Sequence, residues 1–289
     1  MKLIAPKKDS LLDLLRNAFA PATTTRIRKM IKNGMITVDG RRVTRPDFMV
    51  AAGQSIVYRK TAFEAVPPPV PIVYADHCIM VADKPPGLLT YGERGAAGTS
   101  LYQMLKRHLA LQAREKPQLF VVHRLDREVS GLVLFARQQS IQEQLKSNWS
   151  KTRKLYYALI EGLCPEPRGT IRSWLTEGAD RRMRSGEQAA QSKWAVTHFR
   201  VLQRLAAHTL MEIELETGRK NQIRVHLAEA GYPVVGDRRY GADAAVKRRI
   251  RLHAYSLALP HPGDGRPLHF ELPMPDGFLT LEPRDENYK

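Results

Sequence analysis

Residues 120–137, FVVHRLDREVSGLVLFAR, contain a short polar loop between two apolar runs. The runs FVV and GLVLFAR are typical of buried strands, so the stretch predicts strand, loop and strand. A loop between buried strands holds its side chains on a rigid scaffold, where functional residues are common. Asp126 lies in the middle of this loop, between Arg124 and Arg127. Taken alone, the loop favours a surface turn whose aspartate pairs with a neighbouring arginine.

The same loop offers two enzymatic arrangements that the residues support only weakly. A Ser-His-Asp triad can be drawn from His123, Asp126 and Ser130, but Ser130 lacks the glycine-flanked turn that exposes a nucleophile. A glycosidase-type carboxylate pair can be drawn from Asp126 and Glu128, but on an extended loop these two compete for one position. Neither arrangement is favoured by these residues alone.

The composition predicts a folded protein that binds a polyanion. Of the 289 residues 43% are hydrophobic and 26% charged, which excludes whole-chain disorder. A net charge of +17 favours nucleic acid as the partner, ahead of an acidic membrane surface. No apolar run approaches the ~18 residues of a membrane span, and the first residues lack the apolar core of a signal peptide. The two cysteines, Cys78 and Cys164, are too few for a disulfide framework or a cysteine-based zinc site, so we expect a reducing, cytoplasmic location.

The distribution of charge and proline predicts two domains. Residues 1–60 contain 13 basic and 4 acidic residues and therefore carry +9 of the net charge. The following segment, TAFEAVPPPVP, contains four prolines, which can neither continue a helix nor donate to a sheet ladder. We therefore expect a first domain over residues 1–60, a proline-rich linker over residues 61–70 and a second domain over residues 71–289.

The first domain is predicted to contain two helices followed by strands. Thr23 to Thr25 can cap the second helix, RIRKMIKNG, which is expected to end at Gly34. The segment MITVDGRRV predicts a hairpin with Asp39-Gly40 as its turn. A charged run is often a solvated face, but here a helix and a hairpin present cations together, which favours a phosphate-binding surface. The candidate contacts are Arg26, Arg28, Lys29, Arg41 and Arg42.

This first domain resembles the alpha-L RNA-binding motif, which occurs in a small-subunit ribosomal protein and in several RNA-modifying enzymes. The similarity covers residues 10–59. The matching residues are Thr25, Arg26, Ile31, Gly34, Ile36, Val38, Gly40, Val43, Pro46, Val50, Gly53, Gln54 and Ile56.

The second domain resembles the RluA-type family of pseudouridine synthases in five blocks that keep the family's order. The loop HRLDREVSG resembles the family signature His-Arg-Leu-Asp-x-x-Thr-Ser-Gly. The other blocks are IVYADHCIMVADKPPGLLT with Lys84, Pro85 and Gly87, KLYYALIEG with Tyr156, ETGRKNQIRVHLAEAGYPVVGDRRYG with Ile223 and Arg224, and LHAYSLALPHP. Five ordered blocks make this resemblance far more specific than a single motif.

The resemblance implies an α+β fold: a catalytic domain with a mixed, mostly antiparallel sheet and flanking helices, preceded by a small α/β RNA-binding domain. It implies an isomerase that converts uridine to pseudouridine in RNA. This reaction gains and loses no atoms, so no cofactor and no metal are expected. The catalytic residues implied are Asp126, Tyr156 and Arg224. The expected substrate-binding residues are His123, Arg124, Arg127 and Ile223, together with the five cations of the first domain.

These residue types suit the implied reaction. Asp126 has to act at the ribose as an ionised base or nucleophile, and an arginine at salt-bridge distance favours the anion and fixes its orientation. Tyr156 and Tyr157 are consecutive on a predicted strand, so only one of them can face a pocket. The motif selects Tyr156, whose ring can stack on a uracil that has left its base stack.

Three departures from the family pattern are visible. Val129 replaces the usual threonine, Lys220-Asn221 replaces the usual threonine-histidine pair, and Asp83 stands where asparagine is common. They affect the hydrogen bonds of the loops and the contacts available to a substrate. They leave the three implied catalytic residues in place.

The substrate is expected to be large-subunit ribosomal RNA, because family members that act on it often carry the small RNA-binding domain. Transfer RNA is the alternative substrate. Two other functions stay open: an inactive RNA-binding or ribosome-assembly factor, and an RNA N-glycosidase that releases free uracil. We expect a monomer. Weaker candidates for RNA contact are Arg181, Arg182, Arg184, Lys247, Arg248, Arg249 and Arg251.

Overall fold

The computed structural model describes residues 2–58, 70–92, 100–112, 118–242 and 249–280. The chain divides into two compact units, Met1–Pro69 with Gln103–Gln118, and Val70–Tyr102 with Leu119–Lys289. The expected linker lies almost wholly outside the described residues, as do Lys247 and Arg248, so the domain boundaries stay a prediction. In the part of the chain that is described, no helix is long and apolar enough to cross a membrane.

Residues 2–58 of the first unit form two helices and two small sheets. Strands β1, β6, β3 and β4 form one sheet in that order, and β2 pairs with β5. The elements are β1 (Lys2–Ile4), β2 (Asp9–Ser10), α1 (Leu11–Ala18), α2 (Thr24–Lys32), β3 (Ile36–Val38), β4 (Arg41–Arg42), β5 (Met49–Val50) and β6 (Ser55–Tyr58).

Local sequence signals explain the turns of this unit. The Thr23 hydroxyl accepts a hydrogen bond from the Arg26 N–H at 3.3 Å and caps α2, as predicted. Asp39 and Gly40 both have positive φ between β3 and β4, which is the backbone that a two-residue hairpin turn needs. The predicted cap and the predicted hairpin are therefore confirmed.

The helices of the first unit bury one face each and expose their cations. Ile27 and Ile31 of α2 pack in one core with Leu11, Leu14 and Leu15 of α1. Arg26, Arg28, Lys29 and Arg41 are exposed, as a phosphate-binding surface requires.

Arg42 is placed differently from the other cations of this unit. Its side chain is half-buried over Gly34, where a Cβ on the glycine would lie 1.9 Å from the Arg42 Nε. Burial lowers the pKa of the Arg42 guanidinium. Arg42 therefore fills the space beside Gly34. It is not exposed like the other four cations, although its place in the hairpin predicted that it would be.

The second unit is built on one large sheet. Its strand order is β13-β12-β14-β15-β11-β16-β10-β8-β7, with β17 paired to β16 and β9 paired to β10. The strands are β7 (Ile72–Ala75), β8 (Ile79–Lys84), β9 (Phe120–Val121), β10 (Ser130–Ala136), β11 (Arg153–Glu161), β12 (Arg168–Glu177), β13 (Met183–Gly186), β14 (Lys193–Arg204), β15 (His208–Leu215), β16 (Leu252–Pro260) and β17 (Pro267–Glu271).

Helices and short turns complete the elements of the chain. They are α3 (Leu101–Gln112), which runs across the division between the units, α4 (Gln139–Ser147) and α5 (Gln222–Glu229). Two 3-10 turns are found at Trp149–Lys151 and Arg238–Tyr240. Among the described strands only β10 and β16 pair in parallel, so the sheet is mixed and mostly antiparallel, as predicted.

The parallel pair brings the start of β10 against β16. Ser130 is in register with His253, and Gly131 with Ala254. Gly131 has φ +117, and a Cβ at this position would lie 2.2 Å from the carbonyl oxygen of Ala254. Only glycine permits both this backbone and this close approach. Gly131 therefore fixes the point at which the Asp126 loop continues into β10.

Strand β11 runs through the middle of the sheet and separates its two tyrosines. Tyr156 is buried, whereas the ring of Tyr157 stacks on Tyr255 with centroids 3.9 Å apart. The pairing of β11 with β16 shifts register between Leu155 and Tyr156, which marks a bulge at this point. The two consecutive tyrosines therefore have different surroundings, and that only one of them faces a pocket stays a prediction.

Candidate active site

A cleft of about 500 Å³ opens beside the Asp126 loop in the second unit. Four of the predicted site residues line it: Arg124, Asp126, Arg127 and Arg224. Among the other lining residues, Arg249 was a weaker candidate for RNA contact and Glu128 was considered for a carboxylate pair. The rest are Leu89 to Tyr91, Leu125, Lys220, Asn221, Gly236 to Arg239 and Ile250.

The Asp126 carboxylate is held by Arg224, a residue 98 positions further along the chain. The Arg224 Nη1 donates to the Asp126 Oδ2 at 3.1 Å. The Arg224 side chain is 6% exposed and the Asp126 side chain 28% exposed, so the carboxylate reaches the cleft while its partner is buried. The geometry thus brings together the two residues that the motifs placed in separate blocks.

Arg224 is itself fixed by a second carboxylate. Its Nε and Nη2 donate to the two oxygens of Asp237 at 2.6 and 2.8 Å, and the Asp237 side chain is fully buried. Burial alone would lower the pKa of the Arg224 guanidinium, but the hydrogen bonds and charge of Asp237, with the charge of Asp126, raise it above its ordinary value. Arg224 is therefore a permanent cation that cannot turn away from Asp126 without breaking a bidentate pair.

Arg224 lies on α5, and the hydrogen bonds between α5 and the sheet set its position. The Gln222 side-chain amide donates to the carbonyl of Val196 and to the hydroxyl of Thr197, both at 2.9 Å. Its oxygen accepts from the Thr217 hydroxyl at 2.8 Å and from the Arg219 N–H at 2.9 Å. Gln222 therefore pins the first turn of α5 to β14, which makes the helix a rigid mount for Arg224.

The Asp126 loop is tied to the segment after β8 by Lys84. This lysine is fully buried, and its Nζ donates to the carbonyls of Leu88, Pro85 and Arg127 at 2.7, 3.0 and 3.1 Å. Burial lowers the pKa of Lys84 to about 8, against the opposing charges of Glu128 and Asp126. Lys84 belongs to one of the blocks that resemble the family, but the sequence analysis assigned it no role. The available signal was a lysine at the end of a mostly apolar strand.

A buried threonine fixes the residue next to Asp126. The Thr90 hydroxyl donates to the Leu125 carbonyl at 2.8 Å and accepts from the Leu125 N–H at 3.1 Å. Val129, one of the departures from the family pattern, is buried, and its N–H donates to the Asp126 carbonyl at 3.2 Å. The loop backbone is therefore fixed on both sides of Asp126.

Three predicted site residues of the second unit are not among those that line the cleft. Tyr156 and Ile223 are buried. Burial, together with the charge of Asp126, raises the pKa of the Tyr156 hydroxyl. His123 stacks on Trp149 with ring centroids 4.7 Å apart, and its Nε2 accepts the Leu134 N–H at 3.0 Å.

The geometry of His123 differs from the expected RNA contact. Burial, with the nearby charge of Lys154, lowers the pKa of His123 to about 3, so the ring is neutral. A neutral ring that is stacked and bonded to β10 supports the loop and does not attract phosphate. The triad considered for this loop does not form either, because the Ser130 hydroxyl lies 2.8 Å from the His253 Nδ1.

Cations surround the cleft. Arg124, Arg127, Arg238, Arg239 and Arg249 are exposed at its edge. Lys220, a second departure from the family pattern, forms an ion pair with Glu177. Of the weaker candidates, Arg184 pairs with Asp180 at 2.7 Å and Arg182 lies over the Tyr240 ring at 5.8 Å. An excess of positive charge around the Asp126 carboxylate suits a polyanionic substrate.

Comparison with known proteins gives concordant matches. Residues 78–229 match the RNA pseudouridylate synthase family, and residues 11–56 match the S4 domain. The ribosomal large subunit pseudouridine synthase D of Neisseria meningitidis is 34% identical over 278 residues, covering 89% of this chain and 73% of the relative. The protein of the same name from Pseudomonas aeruginosa is 33% identical, covering 91% of this chain and 88% of the relative.

A solved structure shares the fold. Human RNA pseudouridylate synthase domain containing 4 superposes with a TM-score of 0.61 over 72% of this chain and 90% of that chain, at 23% identity. The predicted fold class and the predicted N-terminal RNA-binding domain are confirmed. Because the family match spans more than half of the sequence, the chain belongs to the RNA pseudouridylate synthase family, whose members isomerise uridine to pseudouridine in RNA.

Proposed function

We propose that this enzyme modifies uridine in large-subunit ribosomal RNA and that Asp126, Tyr156 and Arg224 are its catalytic residues. The names of the two bacterial relatives support the choice of RNA. One observation carries the choice of site: the partly exposed Asp126 carboxylate lies in a cationic cleft, 3.1 Å from a buried and doubly anchored arginine.

The reaction breaks the bond between N1 of uracil and C1′ of ribose and joins C5 of the same uracil to C1′. N1 gains a proton and C5 loses one, so atoms and electrons balance without a further reactant. Asp126 acts at the ribose as an ionised carboxylate, either as nucleophile or as base. Arg224 keeps that carboxylate charged and fixed in direction, which is the contribution expected of a preorganised cation.

Tyr156 acts beside Asp126 in its protonated form. Burial and the charge of Asp126 raise the pKa of its hydroxyl, so a phenolate is strongly disfavoured at neutral pH. Its ring offers an apolar surface for a displaced uracil, and its hydroxyl is a hydrogen-bond donor. Tyr156 therefore relays or supports the removal of the proton from C5 and does not act as an anionic base.

The cations supply the binding energy for a uridine that has to leave its base stack, a step that costs a few kcal/mol. Arg124, Arg127, Arg238, Arg239 and Arg249 at the cleft are the proposed phosphate contacts of the second unit. Arg26, Arg28, Lys29 and Arg41 are those of the first unit. We further propose a monomer that acts in the cytoplasm, because one unit of one chain supplies Asp126, Arg224 and Asp237 and the proposed substrate is ribosomal RNA.

The test is tritium release from RNA labelled at C5 of uracil. Unmodified transcripts of large-subunit ribosomal RNA and of transfer RNA are supplied separately to the wild type, Asp126→Ala and Glu128→Gln. We expect release from the ribosomal transcript by the wild type, none by Asp126→Ala, and at least about a tenth of wild-type turnover by Glu128→Gln, a matched carboxylate of the same loop.

Each other outcome has a definite meaning. Turnover by Asp126→Ala would refute the assignment of the catalytic carboxylate. Release from transfer RNA alone would replace the proposed substrate. Free uracil and an abasic site in place of pseudouridine would identify an N-glycosidase, and release from neither RNA would favour an RNA-binding factor.

A further inference from the structure

We infer that Asn221 is a positioning residue whose side-chain amide nitrogen donates to both oxygens of the Asp126 carboxylate. Asn221 is one of the departures from the family pattern, and the sequence alone assigns it no role. The inference deepens the proposed function and rests on it, because the carboxylate that Asn221 holds is the group proposed to act at the ribose.

The orientation of the Asn221 amide follows from its neighbours. With its nitrogen towards Asp126, the amide donates to Oδ2 at 2.6 Å and to Oδ1 at 3.1 Å, and its oxygen accepts from the Tyr240 hydroxyl at 2.9 Å. The opposite orientation places the amide oxygen against two carboxylate oxygens, all of them acceptors, although its nitrogen still donates to the Tyr240 hydroxyl at 2.9 Å. A bond to Tyr240 forms in both orientations, so the choice lies between two bonds to a carboxylate and a 3.4 Å contact with Arg224, and the bonds to the carboxylate are stronger.

The Tyr240 hydroxyl agrees with this orientation. It already accepts the Met183 N–H at 3.1 Å, so its own proton is available to the Asn221 oxygen. Tyr240 thus stands in the same relation to Asn221 as Asp237 does to Arg224. Both anchors belong to one short turn, in which the Asp237 side chain also accepts the Tyr240 N–H at 3.3 Å.

The backbone of Asn221 explains how its side chain reaches the cleft. The residue precedes α5 in a left-handed conformation, with φ 54° and ψ 19°, which asparagine tolerates better than most residues. An asparagine before a helix commonly caps it, yet here the side chain makes no bond to the first turn of α5 within the described residues. The amide is therefore available to Asp126.

Asn221 adds a constraint that Arg224 alone does not supply. A single bond from the Arg224 Nη1 leaves the carboxylate free to rotate about its Cβ–Cγ bond. Donation from Asn221 to both oxygens removes that rotation and sets the plane of the carboxylate relative to the cleft. Since catalysis depends on geometry held within fractions of an ångström, we expect this constraint to affect turnover more than binding.

The experiment compares Asn221→Gly and Asn221→Asp with the wild type and with Asn148→Ala, which changes a half-buried asparagine at the end of α4 that does not line the cleft. Glycine keeps the left-handed backbone without strain and removes the donor, whereas aspartate keeps the shape and replaces the donor by a like charge. We expect kcat to fall about tenfold to a hundredfold in Asn221→Gly and further in Asn221→Asp. The KM for RNA should change less than about twofold in both, because these variants impair positioning and leave binding intact.

Tyr240→Phe in both backgrounds completes the test. We expect it to lower kcat in the wild type and to add little in Asn221→Gly, because the two residues act through one bond. Wild-type kcat in Asn221→Gly, or fully additive losses with Tyr240→Phe, would overturn the inference and leave the proposed function intact. An inactive wild type would refute the proposed function and with it the inference.

Discussion

Asp237 and Asp126 share Arg224 as a partner, but they are buried to different degrees, so the same substitution should have different effects at the two positions. The Asp237 side chain is 0% exposed and accepts two hydrogen bonds from Arg224, whereas the Asp126 side chain is 28% exposed and accepts one. Removing one partner of a buried ion pair costs about 3–5 kcal/mol, because it leaves an uncompensated buried charge. An exposed pair contributes about 0–1 kcal/mol.

We therefore expect Asp237→Asn to lower the free energy of unfolding by about 3 kcal/mol. Asp126→Asn should lower it by about 1 kcal/mol or less, because Arg224 keeps its bidentate partner. Both changes replace a carboxylate by an amide of the same shape, so the two variants are matched. Urea unfolding followed by circular dichroism measures both values, and tritium release measures turnover in parallel.

Turnover should be abolished in both variants, for different reasons. Asp126→Asn removes the reacting group, whereas Asp237→Asn releases the arginine that holds it. A urea midpoint of Asp237→Asn equal to that of the wild type would refute the reasoning, since it would show that burial of Asp237 does not fix Arg224. Equal destabilisation by the two substitutions would also contradict it.

Two further perturbations test other parts of the molecule. The pKa of His123 is about 3 in the folded protein against about 6.5 when unfolded, so the unfolded chain binds more protons between these values and stability falls as the pH falls through this range. His123→Gln, which keeps an acceptor for Leu134, should lose about 1–2 kcal/mol less than the wild type between pH 7 and pH 5 in urea unfolding, and equal losses would contradict this account. The triple variant Arg26→Ala, Arg28→Ala, Lys29→Ala should bind RNA more weakly and reduce the salt slope of binding by about 0.7–0.9 for each phosphate that is no longer neutralised. An unchanged slope would show that these three cations do not bind phosphate.

Features that depend on neighbouring residues could be predicted from the sequence. The Thr23 cap and the Asp39-Gly40 turn are local, because each is decided by backbone groups within a few positions. The opposite faces of Tyr156 and Tyr157 follow from strand alternation alone. The pairing of Asp126 with Arg224 was predicted because the resemblance placed both residues in one site, and the 3.1 Å distance between Arg224 Nη1 and Asp126 Oδ2 agrees with it.

Features that depend on distant pairing could not be predicted in the same way. Asp237 lies in the stretch GDRRYG, where nothing in the local pattern separates a buried anchor from a turn residue. Asn221 was visible as a departure, but its direction depends on a left-handed backbone and on Tyr240. His123 belongs to the signature loop and was expected to contact the RNA substrate, but its ring stacks on Trp149. A sequence motif predicts which residues lie near one another, but it does not predict which of their atoms form hydrogen bonds.

The parallel pairing of β10 with β16 has a consequence for how the enzyme is made. Residue 130 finds its partner only at residue 253, and Asp126 finds Arg224 and Asn221 about a hundred residues after itself. Contacts this far apart in sequence form late, and during translation they wait for the later segment to leave the ribosome. A nascent chain whose cationic first unit has left the ribosome can therefore bind RNA before the site around Asp126 has formed.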